Sequence, residues 1–468
     1  MVRLLSKKAL FGLLTAKTVT MIFSPRWVCM GFLTALTWGA IGSQPAFAQS
    51  PGGHNVLEYG AKADATTDNT GSFQKALDAA GQKGGTVIIP AGAYRIAGSL
   101  NIPQCVTLRG VWEAPHSGKG SVIYATGGAG DEHGSSLVEL NSNSCIEGLT
   151  IFYPDQDADK LTPYPWTIQG RGIHCSVMDI TLVNPYKGID FGTYPNQLHY
   201  IRNVYGCPLK IGIFVDKTTD IGRIENVHLT PGSWDNAAVY PNAPTGDKMD
   251  RLVSWLHQNL IGYLIGRTDW EYMNNCFVIF PRIGFYFVET DGGVDTGLPN
   301  AELSQCGSDI CETAVQVDAS QEHAGITFLN SQFMAQAVVS PTNKGPVKFS
   351  SCGFWARGAT TNQAVIDGSG TTTFTACHFA SWARKPGAEE AACILVKGGS
   401  VIVNGCEFFA DRGRRTDIHE LADGGKRQIE LGPGTQSAAI FGNRFRGGET
   451  IVNNAPPDAS VQIGLNVH

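Results

Sequence analysis

A six-residue hydrophobic pattern recurs about ten times between Cys145 and Arg446, and residues 224–229 (IENVHL) show it clearly. The first position of each copy is apolar, and the fourth and sixth mostly are. A straight strand would keep a period of two throughout, so one residue must form a bend between the first and fourth positions. The copies are IEGLTI from Ile146, VMDITL from Val177, IRNVYG from Ile201, IENVHL from Ile224, MNNCFV from Met273, FLNSQF from Phe328, FSSCGF from Phe349, FTACHF from Phe374, VNGCEF from Val403 and IFGNRF from Ile440.

The third position of the repeat holds residue types that tolerate a left-handed backbone. Asn, Asp or Gly occupies it in eight copies, and the exceptions are Ser351 and Ala376. Such residues can make a one-residue bend at low steric cost. Strand, left-handed corner and strand, repeated along a chain, predict an all-β fold: a right-handed parallel β-helix, forming one solenoid domain over residues 49–468.

The spacing of the copies supports a solenoid. Most copies start 21 to 37 residues apart, and a period in the twenties is typical of rungs that stack over one continuous core. Two longer intervals, of 49 and 55 residues, predict one degenerate rung within each. In the fourth column Cys352, Cys377 and Cys406 should stack directly. A column spaced by about 4.8 Å cannot surround an ion, so we interpret these cysteines as core packing and predict no metal site.

The amino terminus differs in composition from the rest of the chain. Five of the 35 Lys and Arg residues precede residue 27, an apolar run follows from Trp27 to Gly42, and Ala46-Phe47-Ala48 fits a cleavage site. Residues 1–48 therefore predict a secretory signal peptide, cleaved near Ala48, and a secreted or periplasmic protein without a membrane segment after cleavage. An uncleaved anchor is the alternative, although the run is short for a membrane span.

The charge balance bears on which partners the protein can bind, and the cysteines bear on which disulfide bonds it can form. The predicted mature chain has about 30 basic against 41 acidic residues, which argues against nucleic acid as a partner. Secretion permits disulfides. Cys306 and Cys311 are the first candidates for a bridge, because the pattern places them in a loop. The oligomeric state is not predicted.

The start of the mature chain carries a recognisable motif. Asp68 to Thr70 predicts a helix start, Phe73, Ala76, Leu77 and Ala80 form one apolar face, and Gly81 to Gly85 ends the helix. We interpret this helix as a cap over one end of the solenoid. YGAKADATTDNTGSFQKALDAAG followed by GGTVIIPAGAYRI resembles the opening of the pectate lyase superfamily, in its rhamnogalacturonase- and epimerase-like group. This resemblance covers roughly residues 54–230 and implies action on an extracellular polysaccharide or oligosaccharide.

Candidate catalytic acids lie on or just before the middle rungs. Glycoside cleavage needs two carboxyl groups that flank the scissile bond, and acids on neighbouring rungs can meet either the retaining or the inverting separation. The paired aspartates and Gly-His-Gly stretch of polygalacturonases are absent. The candidates are Glu225, Asp220, Asp216, Asp190, Asp269 and Glu271.

Candidate substrate-binding residues follow from the same geometry. The second and fifth positions of each copy point outward, so stacking predicts one row with Arg202, Glu225 and Asn274 and a second with Tyr205, His228 and Phe277. Trp234 and Trp270 stand beside acids and could stack on sugar rings. The predicted substrate-binding set is Arg202, Tyr205, His228, Trp234, Trp270 and Asn274.

We therefore predict a secreted enzyme that cleaves a polysaccharide, with glycoside hydrolysis by paired carboxylates and no cofactor as the first hypothesis. The alternative reaction is β-elimination on a uronate, which needs a base and a cation. Arg202, Lys210, Arg223 or Arg267 could be the base, and Asp216 with Asp220 could hold calcium. A non-catalytic, carbohydrate-binding or structural β-helix is the alternative from a different class.

Overall fold

A computed structural model describes residues 53–115, 118–236, 239–291, 297–356, 360–410 and 424–468. The predicted signal peptide lies outside these residues. Two α-helices, α1 (Thr70–Gly81) and α2 (Asp247–Asn259), and two short 3₁₀ helices, Val56–Tyr59 and Pro231–Ser233, accompany a long parallel sheet. Within the described residues no helix has the length and apolarity that a membrane crossing requires.

The strands of the first half alternate short segments with longer strands that run through a corner. In chain order they are β1 (Gly53–Asn55), β2 (Asp64–Asp68), β3 (Gly85–Ile88), β4 (Gly92–Ile96), β5 (Leu100–Ile102), β6 (Val106–Arg109), β7 (Ser121–Ala125), β8 (Val138–Leu140), β9 (Cys145–Phe152), β10 (Trp166–Gly170), β11 (Ser176–Leu182), β12 (Lys187–Phe191), β13 (Tyr200–Gly206), β14 (Ile211–Val215), β15 (Thr218–Leu229), β16 (Ile261–Ile265), β17 (Thr268–Ile279) and β18 (Ile283–Phe287).

The strands of the second half are mostly shorter. They are β19 (Ala301–Ser304), β20 (Gly307–Asp309), β21 (Thr313–Val317), β22 (Ile326–Leu329), β23 (Gln332–Phe333), β24 (Gln336–Val339), β25 (Val347–Ser350), β26 (Gly353–Trp355), β27 (Ala364–Ile366), β28 (Thr371–Thr375), β29 (His378–Ala380), β30 (Ala392–Asn404), β31 (Glu407–Phe409), β32 (Arg427–Phe441), β33 (Arg444–Arg446), β34 (Ile451–Asn453) and β35 (Ser460–Gly464).

Each rung contributes to three faces of a parallel β-helix, as predicted. We call the face before the repeated corner the first sheet, the face after it the second sheet, and the returning face, with β10, β12, β14, β16 and β18, the third sheet. In the first sheet Ile201 lies opposite Ile224, and Ile224 lies opposite Met273. In the second sheet Val204, Val227 and Cys276 align in the same order. The core is one continuous column of these inward side chains.

The predicted corners all have a left-handed backbone. Asn203, Asn226 and Asn275 have φ between 52° and 60°, and the two residues of unusual type, Ser351 and Ala376, have φ of 54° and 52°. The asparagines also bond along the axis: Asn275 Nδ2 donates to Asn226 Oδ1 at 2.8 Å, and Asn226 Nδ2 donates to Asn203 Oδ1. Each bend is therefore supported by the bend of the next rung.

One of the two predicted degenerate rungs exists and the other does not. In the 55-residue interval, Leu303 lies opposite both Met273 and Phe328, and Gln305 forms a corner with φ of 55°. In the 49-residue interval the prediction of a rung is wrong, because β15 pairs directly with β17. The extra residues form a surface excursion that contains α2. Its Arg251 Nε bonds Asp159 Oδ1 at 2.6 Å, on the loop that precedes β10.

The cysteine predictions have two outcomes. Cys352, Cys377 and Cys406 are buried free thiols in the predicted fourth column. The predicted Cys306–Cys311 disulfide is wrong, because both residues are free thiols and Cys306 belongs to the core column of the degenerate rung. Its Sγ contacts the Met273 carbonyl oxygen at 3.8 Å, whereas Cys311 Sγ lies 3.1 Å from Ser308 Oγ.

Helix α1 forms where the sequence predicts it. Its face of Phe73, Ala76, Leu77 and Ala80 is buried, and the helix contacts β1, β3, β5 and β6. The function of α1 as the cap of the solenoid stays a prediction.

We expect Asn226→Val to lower the free energy of unfolding by about 2–4 kcal/mol, since a β-branched residue fits a left-handed bend poorly and both ladder hydrogen bonds are lost. Urea unfolding followed by circular dichroism measures this change. Asn404→Val is the matched control, because Asn404 is an exposed strand residue directly before the corner at Gly405. Equal stability of the two variants would show that the corner does not constrain the rung.

Candidate functional site

The outer face of the first sheet carries the first predicted row. Arg202 lies opposite Glu225, and Glu225 lies opposite Asn274, with no rung between them. The neighbouring row on this face contains Tyr200, Arg223, Tyr272 and Glu302, which align in the same register. Because alternate residues of a strand face the same side, these two rows present cations, carboxylates and tyrosines together.

Glu225 lines an open cleft on this face, which we call the first-sheet cleft. The cleft has a volume of about 290 Å³ and is lined by Glu225, Tyr272, Met273, Asn274, Glu302, Leu303, Ser304 and Leu329. Tyr200 donates its hydroxyl hydrogen to Glu225 Oε2 at 2.7 Å. Partial burial and the Glu225 carboxylate raise the pKa of Tyr200, so the phenol keeps this proton at neutral pH. Glu302, which is absent from the predicted site residues, is exposed and supplies a second carboxylate beside the half-buried Glu225.

Two exposed aromatic side chains stand beside the first-sheet cleft. Trp270 and Tyr272 are 44% and 36% exposed, and their ring centroids lie 6.0 Å apart. Both rings are therefore available to a ligand. The prediction for Trp234 as a sugar platform is wrong, because its side chain is fully buried and its Nε1 donates to Asn242 Oδ1 at 3.1 Å. Trp234 instead packs the long excursion after β15.

The second predicted row lies on the outer face of the second sheet. Tyr205, His228 and Phe277 align in register. The ring centroids of Tyr205 and His228 lie 6.4 Å apart, and those of His228 and Phe277 lie 4.8 Å apart. Trp112 extends the row, with its ring centroid 6.1 Å from that of Tyr205. The repeat therefore builds an aromatic row parallel to the solenoid axis.

Two of the predicted catalytic aspartates are buried, and each accepts three hydrogen bonds. Asp190 Oδ1 accepts the backbone N–H groups of Gly192 and Thr193, and its Oδ2 accepts Gln169 Nε2 at 2.7 Å. Asp216 Oδ1 accepts the N–H groups of residues 217 and 267 and the hydroxyl of residue 290. These carboxylates fix the corners between sheets, and neither reaches a substrate in this arrangement.

Asp220 and Asp269 lie on one side of the solenoid, as the spacing predicts, where the register between β15 and β17 shifts. They precede Ile221 and Trp270, which are aligned across β15 and β17. Arg267 Nη2 donates to Asp269 Oδ1 at 2.8 Å, and Asp220 Oδ1 accepts the following N–H at 2.8 Å. The Arg267 side chain is 4% exposed and also bonds the Thr218 carbonyl oxygen. Asp269 is therefore paired with the buried Arg267 guanidinium. This ion pair makes Asp220 and Asp269 less suited to proton transfer than Glu225.

Glu271 lies inside the solenoid rather than on its surface, so the prediction that it faces the substrate is wrong. Its Oε1 lies 3.1 Å from His199 Nε2, and both side chains are fully buried. His199 Nδ1 lies 2.9 Å from Asn196 Oδ1, and its ring stacks on Phe191 with centroids 4.9 Å apart. Gly222, which lies opposite Glu271, leaves the room that the pair needs.

A cation cluster on the third sheet was not predicted as a unit, although Lys210 was a candidate base. Lys210 Nζ donates to both carboxylate oxygens of Glu132, at 2.7 and 3.0 Å, and Lys187 Nζ donates to the Glu132 carbonyl oxygen at 2.7 Å. Lys187 Nζ lies 5.1 Å from the Trp166 ring centroid, and Lys210 Nζ lies 5.5 Å from that of Tyr186. Burial lowers the pKa of Lys187, and the hydrogen bond with Glu132 raises the pKa of Lys210.

The acids that could hold calcium are arranged unfavourably for it. Asp216 Oδ1 already accepts three hydrogen bonds, and Ca²⁺ requires six to eight oxygen ligands. Across the ranges that the structure describes, no group of three or more His, Cys, Asp or Glu side chains is placed to bind a metal. Burial raises the pKa of the Cys276 thiol well above its ordinary value.

The comparisons with known proteins agree with this architecture. Residues 53–276 match the family model described as rhamnogalacturonase A/epimerase, pectate lyase-like. Residues 53–276 therefore form a pectate lyase-like domain, and the resemblance predicted from the opening motif is confirmed. The match ends in β17, within the rungs that form the first-sheet cleft.

Two similar proteins come from Azotobacter vinelandii. Mannuronan C5-epimerase AlgE2 is 31% identical over 105 residues, which cover 21% of this chain and 10% of that protein. Alginate lyase 7 is 50% identical over 46 residues, which cover 10% of this chain and 5% of that protein. The chain thus spans a small part of the length of these relatives. Its β-helix is related to carbohydrate-active epimerases and lyases.

A solved structure extends the likeness in fold to most of the chain. The amino-terminal fragment of bacteriophage Phi29 gene product 12 has a TM-score of 0.52 and 13% sequence identity. The alignment covers 87% of this chain and 72% of that fragment. At this identity the similarity concerns the fold alone, and it includes the rungs beyond residue 276 that the family model does not reach.

We expect Gly222→Ala to destabilise the protein by about 1–3 kcal/mol, because the added Cβ would lie 2.1 Å from Glu271 Oε2 and 2.3 Å from His199 Cε1. Thermal unfolding by calorimetry measures the loss. Gly464→Ala is the control, since its added Cβ meets no atom within 4 Å. An unchanged melting temperature in Gly222→Ala would contradict the buried position of the His–Glu pair.

Proposed function

We propose that this protein hydrolyses an extracellular polysaccharide in the first-sheet cleft, with Glu225 and Glu302 as the two carboxyl groups. The observation that carries the proposal is that two accessible carboxylates line one open cleft beside Tyr272, Asn274 and Ser304. Glycoside hydrolysis requires such a pair on either side of the scissile bond. The relatives support a carbohydrate as the substrate class.

The strand register favours inversion of configuration. Glu225 and Glu302 belong to rungs that are separated by β17, so their backbones lie about 10 Å apart along the axis. Inverting enzymes hold their carboxyl groups about 6.5–9.5 Å apart, which leaves room for a water molecule, whereas retaining enzymes need about 5–5.5 Å. Side chains that lean toward each other over Tyr272 can reach the longer separation.

The contacts of the two residues suggest their roles. Glu225 Oε2 accepts the Tyr200 hydroxyl, which fixes the orientation of this carboxylate and suits a base that positions water. Glu302 lies on the strand beyond β17 from Glu225 and would protonate the leaving oxygen. The exposed ring of Trp270 would stack on a sugar face, and Asn274 would bond a hydroxyl group.

We expect Glu225→Gln and Glu302→Gln each to lower kcat by at least about 100-fold, because each removes one proton-transfer group. Reducing ends released from a polysaccharide panel measure turnover, and circular dichroism checks the fold. Glu147→Gln is the matched control, since Glu147 lies in the same outward row as Glu225 but outside the cleft and pairs with Arg109. Full activity in both cleft variants would overturn the assignment.

A second candidate function is removal of the C5 proton of a uronate, as in β-elimination or epimerisation. One observation favours it: Lys187 is buried with a lowered pKa beside Lys210, Tyr186 and Trp166 on the third sheet. A neutral lysine is a competent base. The Lys210 ammonium, which is bonded to the Glu132 carboxylate, could instead bind the carboxylate of the sugar and neutralise its charge. The named activities of the two relatives, mannuronan epimerisation and alginate cleavage, also concern uronates.

If this second reaction occurs on alginate, its rate should rise with pH through a pKa below the ordinary range of lysine, because only the neutral form of Lys187 accepts the proton. Lys187→Ala should abolish both the reaction and this rise. Lys348→Ala, on the exposed face of β25, should leave both unchanged. New ultraviolet absorbance identifies elimination, and proton NMR of the polymer identifies inversion at C5. Activity in Lys187→Ala with the wild-type pH profile would rule out this role.

A further inference from the structure

A second cleft opens on the outer face of the second sheet, across the asparagine corners from the first-sheet cleft. We call it the second-sheet cleft. It has a volume of about 360 Å³, and its lining includes Phe277, Gln305, Gly307, Asp309, Gln332 and Trp355. Since it lies on a different face, it does not take part in the chemistry proposed above.

Gly307 forms part of the floor of the second-sheet cleft, and Gly353 follows it in the same column. Phe277 lies opposite Gly307, Gly307 lies opposite Gln332, and Gln332 lies opposite Gly353. A Cβ at Gly307 would lie 3.0 Å from Phe277 Cδ2, and a Cβ at Gly353 would lie 2.3 Å from Gln332 Oε1. The missing side chain of Gly307 therefore leaves a recess between the aromatic ring of Phe277 and the amide of Gln332.

The walls of the recess combine aromatic surface with oriented amides. Trp355 Nε1 donates to Gln332 Oε1 at 3.2 Å, which holds this amide against the indole. Gln305, Asn275 and Asn330 add amide groups that both donate and accept hydrogen bonds. On the side of lower residue number, Phe277 joins the aromatic row of His228, Tyr205 and Trp112.

The aromatic rings and amides of the second-sheet cleft, without any cation among the lining residues, favour an uncharged ligand. Among the lining residues no Lys or Arg is present, and Asp309 is the one acid, so an anionic sugar gains no cation here. A pyranose ring offers C–H groups to aromatic faces and hydroxyl groups to amides. We propose that the second-sheet cleft binds neutral pyranose residues of a polysaccharide, and that the aromatic row guides the polymer along the solenoid axis.

This proposal does not depend on which reaction the protein catalyses. Its test is the binding of the full mature chain to mannan, xylan, dextran and mixed-linkage β-glucan, with alginate as the anionic polymer, by affinity gel electrophoresis. We expect retardation by at least one neutral polymer. Trp355→Ala removes one wall of the cleft. Gly307→Gln fills its floor with the same side chain that Gln332 carries in the next rung. Each substitution should weaken binding of the neutral polymer at least about tenfold.

The controls separate binding from folding and from catalysis. Phe409→Ala should bind like the wild type, because Phe409 occupies the column of Trp355 two rungs further on. Trp355→Ala should also keep wild-type turnover on short soluble oligosaccharides, whereas Glu225→Gln should keep neutral-polymer binding. The proposal is overturned if the wild type binds alginate alone or no polymer, or if Trp355→Ala and Gly307→Gln bind neutral polymers with unchanged affinity.

Discussion

The left-handed bend of a single residue in each rung from β9 to β32 is the constraint on which the rest of this structure depends. At Asn203, Asn226 and Asn275 the bend is also held by side-chain hydrogen bonds to the neighbouring rung. Ser351 and Ala376 adopt the same bend without an amide, which shows that stacking between rungs can impose a conformation that the residue type disfavours. Because the bend falls at one place in each rung, the side chains that follow it keep their register over the whole solenoid.

The same register decides which chemistry each face can have. Positions that point outward in one rung point outward in all, so sequence-distant residues form rows such as Arg202, Glu225 and Asn274. A row is a functional surface only where its side chains stay exposed. Glycine at an outward position, as at Gly307, makes a recess without disturbing the core, which is a simple way for a solenoid to evolve a binding cleft.

The columns and corners were predictable from the sequence because the hydrophobic pattern repeats. The sequence predicted a degenerate rung in this interval but not its position at Leu303, because Gln305 is an unusual corner residue. Without that position, Glu302 could not be recognised as an outward-facing residue. The interval after Leu229 was misjudged because an excursion that contains α2 adds about as many residues as a rung. The environment of Trp234 and the cluster around Glu132 depend on contacts between distant loops, which no local pattern encodes.

The acids of the middle rungs show why residue type alone did not identify the site. Asp190 accepts hydrogen bonds on both carboxylate oxygens, and Asp216 accepts three on Oδ1, at corners where such bonds stabilise the turn. Glu271 and His199 are both buried and interact with each other, so the free-energy penalty of burying each polar group is smaller than it would be for an unpaired group. Glu225 and Glu302 differ because they lie on a strand face where no turn needs a carboxylate. An acid without a structural task, in an open cleft, is the better candidate for chemistry.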